Sequence, residues 1–83
     1  GSPAPEAAPQ GGTQVYSGFG GEVEVIDLLV KVGDKVTRGT IIASVEAMKA
    51  QHDIKAPCDG AITSVDVRIG DEIESSQPIM IIS

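Results

Sequence analysis

The segment Val30 to Val36 reads VKVGDKV, and Val67 to Ile73 reads VRIGDEI. The two match position by position at a spacing of 37 residues. In each, alternating apolar residues run into a glycine followed by an aspartate, the pair that supplies a positive φ and a side-chain cap for a tight turn. The match continues downstream, where TRGTII (37–42) corresponds to ESSQPI (74–79) and Val45 to Ile82. Upstream the halves differ by two residues, because Gly21 precedes Gly33 by twelve and Gly60 precedes Gly70 by ten. Both still open alike, with SGFGG (17–21) standing where the second half has APCDG (56–60). Two similar halves packed face to face bury both apolar faces in one core, so the repeat predicts a pseudo-two-fold flattened barrel or sandwich.

The remaining segments fit that architecture. EVEVIDLLVKV (22–32) is rich in β-branched residues and begins with strict alternation. TIIASVEAM (40–48), QHDIKA (51–56), AITSVDVRI (61–69) and QPIMIIS (77–83) are short apolar-patterned runs bounded by Gly, Pro, Asp or Ser, the signature of strands joined by tight turns. No window sustains the i, i+3, i+4, i+7 pattern of an amphipathic helix. The expected fold is all-β, a flattened β-barrel or sandwich of two pseudo-symmetric four-stranded halves.

Composition narrows the function classes. The chain has 83 residues, enough for one domain. Residues 1–14 (GSPAPEAAPQGGTQ) hold three of the five prolines and almost no bulky apolar side chains; they read as a disordered Pro/Ala-rich linker, with Gly1-Ser2 as a tag scar on a domain cut from a longer chain. The folded part is then expected over 15–83, a size at which only about 60% of the unfolded surface is buried. Twelve acidic and six basic residues give a net charge of −6, which argues against a nucleic-acid partner. One Tyr, one Phe and no Trp leave no platform for stacking bases. A single cysteine, Cys58, excludes an internal disulfide and fits a reducing, cytoplasmic setting. No apolar run approaches the roughly 18 residues of a membrane span, so no direct membrane insertion is expected.

The repeat also exposes what is not repeated. The second half ends at Ile82-Ser83, where the first half reaches Val45-Glu46. Ala47-Met48-Lys49-Ala50 therefore has no counterpart, and it is expected to be the hairpin tip that carries the chain into QHDIKA. A tip projects because its backbone groups cannot all pair internally. A plain turn would use Asn, Asp or Gly; here the lysine is flanked by Ala47, Met48 and Ala50. Lys31, Lys35 and Lys55, by contrast, read as surface lysines whose stems cover apolar neighbours.

EAMKA (46–50) followed by DIKAPCDG (53–60), with VKVGDKV before and VRIGDEI after, resembles the biotinyl/lipoyl carrier domain family over 15–83. That resemblance implies that Lys49 is modified after translation with biotin or lipoate, on an arm that swings between active sites of partner subunits. Biotin carriers typically read Glu-Ala-Met-Lys-Met, which Glu46, Ala47, Met48 and Lys49 match and Ala50 does not; Ala50 is what lipoyl carriers have. KAPCDGAI (55–62), with Ala56-Pro57, is closer to biotin carriers, whereas GGEVEVIDLLVKVGDKV (20–36) is closer to lipoyl domains. Met48 is the best discriminator and favours biotin over lipoate, because an apolar, polarizable contact and the aspartate of lipoyl carriers do not easily imitate one another.

The resemblance implies a non-catalytic carrier domain or subunit that shuttles CO₂ as carboxybiotin. Its implied partners are a biotin protein ligase and biotin carboxylase, carboxyltransferase or decarboxylase subunits. VTRGTIIASVEAM (36–48) leaves no room for the extra "thumb" of some bacterial acetyl-CoA carboxylase carriers, which points to an acyl-CoA carboxylase, transcarboxylase or biotin-dependent decarboxylase. The lysine must attack an activated acyl group as a neutral amine, so the ligase removes its proton. Stem and biotin side chain together span about ten single bonds, a reach on the order of ten to fifteen ångströms. Two other readings stay open: a lipoyl carrier of a 2-oxo-acid dehydrogenase complex, and an unmodified structural lookalike such as the hairpin domain of a membrane-fusion protein.

Other reactive residues have simpler readings. His52 reads as a surface strand residue, since one histidine and one cysteine give no ligand spacing for a metal. Cys58 follows Pro57 without a neighbouring cation to activate it. Asp34, Asp59 and Asp71 sit beside glycines, where a turn role comes first. Glu46 belongs to the motif and either deters the wrong ligase, orients the turn or is a solvated carboxylate.

Overall fold

The structure is a computed structural model that describes residues 12–83. The proposed linker at 1–14 lies outside it except for its last residues, and these already pair. The first strand, β1, begins at Thr13, two residues before the start expected at Val15. Seven more follow: β2 (Val23–Leu28), β3 (Lys35–Val36), β4 (Ile41–Ala47), β5 (Ala50–Lys55), β6 (Gly60–Val65), β7 (Glu72–Ile73) and β8 (Met80–Ile82). The described residues contain strands and turns and no helix, as the sequence predicts.

Two four-stranded antiparallel sheets form, in the orders β1-β8-β6-β3 and β5-β4-β2-β7. Each sheet takes two strands from each half, so the halves interlock; they do not each fold into one sheet of a face-to-face pair. Advancing every strand of one sheet by four reproduces the order of the other, and the pseudo-two-fold therefore exchanges the sheets.

The registers show how closely the repeat is kept. Val25 pairs with Val45, Asp27 with Ser44 and Leu28 with Ala43. At 37 residues on, Ile62 pairs with Ile82, Ser64 with Ile81 and Val65 with Met80, with the same one-residue irregularity after the first pair. The Gly33 N–H donates to Ile62 O at 2.8 Å, and the Gly70 N–H donates to Val25 O at 2.7 Å. Both glycines have φ of 98°, a left-handed conformation that costs an L side chain dearly. Asp34 and Asp71 then cap these turns, accepting the Lys31 and Arg68 backbone N–H groups at 3.0 and 2.9 Å.

Two sequence expectations need revision. EVEVIDLLVKV and AITSVDVRI were expected as strands up to their glycines, but β2 ends at Leu28 and β6 at Val65. Residues 29–34 and 66–71 instead carry the chain over to the opposite sheet, where the two-residue strands β3 and β7 form. The two-residue length difference between the halves falls in the loop joining β1 to β2, because β2 and β6 are already in 37-residue register.

One core lies between the sheets. Val25, Ile42, Val45, Ile62, Ile79, Met80 and Ile82 are its largest fully buried side chains. They come largely in symmetry pairs, Val25 with Ile62, Val45 with Ile82 and Ile42 with Ile79. Where Met80 fills one side, its mate is the small Ala43, and such complementary volumes keep the core at native density.

Candidate functional site

β4 and β5 form the best-paired hairpin of the fold, with Val45 opposite His52, Glu46 opposite Gln51 and Ala47 opposite Ala50. The last pair leaves Met48 and Lys49 as a two-residue loop. Their φ angles are 53° and 63°, and they are the only positive-φ residues other than glycine among the described residues. Two successive positive φ values define the type I′ turn, whose twist matches that of the strands it joins. Asn-Gly is the usual occupant, so Met-Lys holds this turn at a cost of about 1–2 kcal/mol per residue. The expected tip is thus narrower than the four residues 47–50, since Ala47 and Ala50 are already strand.

The tip is bare. Met48 is 86% exposed, the most exposed of the large apolar side chains, and Lys49 and Ala50 are exposed as well. Ala47 is buried at 6% and anchors the turn to the core. Among the described residues the one ion pair joins Lys31 to Asp34 at 3.2 Å, so no carboxylate holds the Lys49 ammonium. An exposed amine on a rigid, register-locked turn is free to be presented to another protein and to carry a covalent group.

Carboxylates nonetheless gather nearby. An open groove of about 270 Å³ is lined by Met48, Lys49, Glu22, Glu24, Glu46 and Glu72, with buried Val23 and Ala47 beside them. Glu24 is the cross-strand partner of both Glu46 and Glu72, which gives an acidic row across β4, β2 and β7. The fold does not demand this row. Its symmetry mate on the other sheet is Ser83, Ala61 and Lys35, with the same pairing geometry. Glu22, Glu24 and Glu72 are missing from the sequence-derived site because they are distant in the chain. The alternation in EVEV places Glu22 and Glu24 on one face, and that much of the row is visible in the sequence.

The other candidates take structural places. His52 is half-buried, and its ring packs against Phe19 at a tilt of 43° with centroids 4.5 Å apart. Phe19 comes from the longer loop between β1 and β2 and packs against the core. Cys58 is half-buried against the same core and is a free thiol. Asp59 Oδ1 accepts the Arg38 backbone N–H at 2.8 Å, tying the two halves together. No group of three or more His, Cys, Asp or Glu suited to a metal occurs among the described residues. Lys31, Lys35 and Lys55 are exposed. No helix among the described residues is long and apolar enough to cross a membrane.

Residues 8–82 match the family described as "Biotin-requiring enzyme", which covers biotin and lipoyl attachment domains. The chain is 38% identical over 63 residues to the biotin carboxyl carrier protein of acetyl-CoA carboxylase from Solanum lycopersicum, covering 76% of this chain and 86% of that one. It is 35% identical over 60 residues to the dihydrolipoyllysine-residue acetyltransferase component of the pyruvate dehydrogenase complex from Buchnera aphidicola, covering 72% of this chain but 15% of that one. The urea carboxylase of Kluyveromyces lactis contains the same fold, with a TM-score of 0.81 at 24% identity, over 94% of this chain and 7% of that one. The chain therefore spans only a small part of the acetyltransferase and of the urea carboxylase.

Proposed function

The chain belongs to the biotin/lipoyl carrier family, and we propose that it is a biotin carrier whose cofactor is attached by an amide bond to Lys49. Carrier domains of this family are not catalysts by themselves; they present a bound group to enzymes. The observation that carries the biotin reading is the Met48-Lys49 turn, an apolar side chain at 86% exposure directly preceding an exposed lysine on a register-locked tip. Such a turn fits the group, since nothing among the described residues covers the lysine or pairs with it.

Glu46, Ala47, Met48 and Ala50 would serve as the recognition motif around the lysine. Ala47 and Ala50 fix the turn, and Met48 offers a biotin protein ligase an apolar contact that the aspartate of a lipoyl carrier could not give. The ligase would remove the lysine proton before amide formation, and the resulting neutral linkage suits an arm that enters apolar pockets. Attached biotin supplies a ring nitrogen that holds CO₂ for transfer between active sites. The partners would be biotin carboxylase and a carboxyltransferase or decarboxylase, a reading supported by the carboxylase carrier among the relatives.

A lipoyl carrier is the second reading, favoured by Ala50 after the lysine and by the acetyltransferase relative. Expression with a biotin ligase separates the two. Avidin binding that disappears in Lys49→Arg is expected; a protein that stays avidin-negative with active ligase but accepts lipoate from a lipoate ligase would overturn biotin.

A further inference from the structure

The chain has three sulfur side chains, Met48, Met80 and Cys58, and the fold treats them differently. Met80 is fully buried between the sheets, at 0% exposure, and Cys58 is half-buried against the core. Met48 stands at 86% exposure on the tip, held at a φ of 53° directly before Lys49. A thioether reacts with peroxides in proportion to its access, and oxidation turns an apolar, flexible side chain into a polar, chiral one. We propose that Met48 is an oxidation site, and that its sulfoxide blocks attachment of the cofactor to Lys49.

The step balances with hydrogen peroxide as the named oxidant. A sulfur lone pair attacks one peroxide oxygen, the S–O bond forms as the O–O bond breaks, and the leaving hydroxide takes the proton to become water. Sulfur loses two electrons and the peroxide gains them. The fold is indifferent to this change, because so exposed a side chain buries almost nothing and its sulfoxide remains solvated. Recognition is not indifferent. A ligase that packs an apolar surface on Met48 would have to desolvate the S=O dipole without a hydrogen bond to replace the water. The tip is therefore the one place where oxidation changes what the chain presents without changing what it is.

The blocking half of this proposal rests on the attachment reading above, so the experiment reads oxidation and attachment separately. The unmodified chain with Cys58→Ser is treated with hydrogen peroxide, and its mass, thermal midpoint and rate of modification by purified biotin ligase are followed. The expected result is one oxygen on the Met48 peptide, none on Met80, an unchanged midpoint, and modification slowed by about tenfold or more, the size expected for an unpaired dipole forced into an apolar contact. Methionine sulfoxide reductase should restore the rate. In a Met48→Leu variant, whatever its own rate, treated and untreated protein should be modified equally fast. Oxygen appearing first on Met80, or an oxidised chain modified as fast as the untreated one, would overturn the proposal. An untreated chain that accepts neither biotin nor lipoate overturns the attachment reading and the blocking step with it, while the mass still decides whether Met48 is the oxidation site.

Discussion

Glu24 and Glu46 stand directly opposite one another on neighbouring strands, close to the tip that carries Lys49. Glu72 flanks Glu24 on the other side. Like charges at directly opposed positions cost about 0.2–1 kcal/mol per pair, and the other sheet uses Ser83, Ala61 and Lys35 in the same geometry. Glu24→Gln relieves both pairs and should therefore stabilise the domain by about 0.4–2 kcal/mol, and by more at low ionic strength than at high. Urea midpoints at two salt concentrations check this. A midpoint that falls at low salt would show that the row is held by something other than mutual repulsion.

Gly33 and Gly70 offer a matched pair of tests. Each has φ of 98°, and a Cβ built at either position would meet open space. The cost of alanine is then backbone strain alone, about 1–2 kcal/mol at each site. Gly33→Ala and Gly70→Ala should destabilise equally, to within about 0.5 kcal/mol, if the two turns are energetically as well as geometrically equivalent. Denaturation of both variants under one set of conditions measures the difference.

Acid stability should depend on Asp34. The Lys31 backbone N–H, with the Lys31 ammonium at 3.2 Å, holds the Asp34 carboxyl below its ordinary value of 3.8. A carboxyl depressed in the folded state contributes stability above its unfolded pKa and loses it as pH falls through the folded value. The gap in thermal midpoint between the wild-type chain and Asp34→Asn should accordingly be widest above pH 3.8 and close as the pH falls below it. A gap that stays constant through this range would mean that the carboxylate charge contributes nothing to the turn.

At the tip, stability and recognition should separate. Met48 buries little and holds a left-handed φ, so Met48→Gly should stabilise the fold by up to about 1 kcal/mol while slowing cofactor attachment. Ala50 is exposed at the end of β5, and Ala50→Met should leave stability within about 0.5 kcal/mol of the original. Paired thermal melts and ligase assays read the two effects independently.

Much of this was legible in the sequence, and the reasons are specific. The Gly-Asp turns were readable because Gly33 and Gly70 occupy a conformation other residues avoid, and the hairpin tip because 47–50 have no partner in the repeat. The interlocking of the halves was not readable. Pairs such as Val36 with Gly60 and Val23 with Ile73 are contacts between halves, and periodicity within one segment says nothing about its neighbours. Strands β3 and β7 were hidden because two residues are too few to show an alternation. The carboxylates at the groove were missed because Glu24 meets Glu46 and Glu72 only through strand register, which alternation within one segment does not reveal.

The most direct test of the central claim is intact mass after expression with biotin ligase and lipoate ligase together, for the wild-type chain and Lys49→Arg. If Lys49 carries biotin, the wild-type chain gains the mass of one biotinyl group and the variant gains nothing. A lipoyl increment lost in Lys49→Arg, or a biotinyl increment that survives it, would contradict the claim.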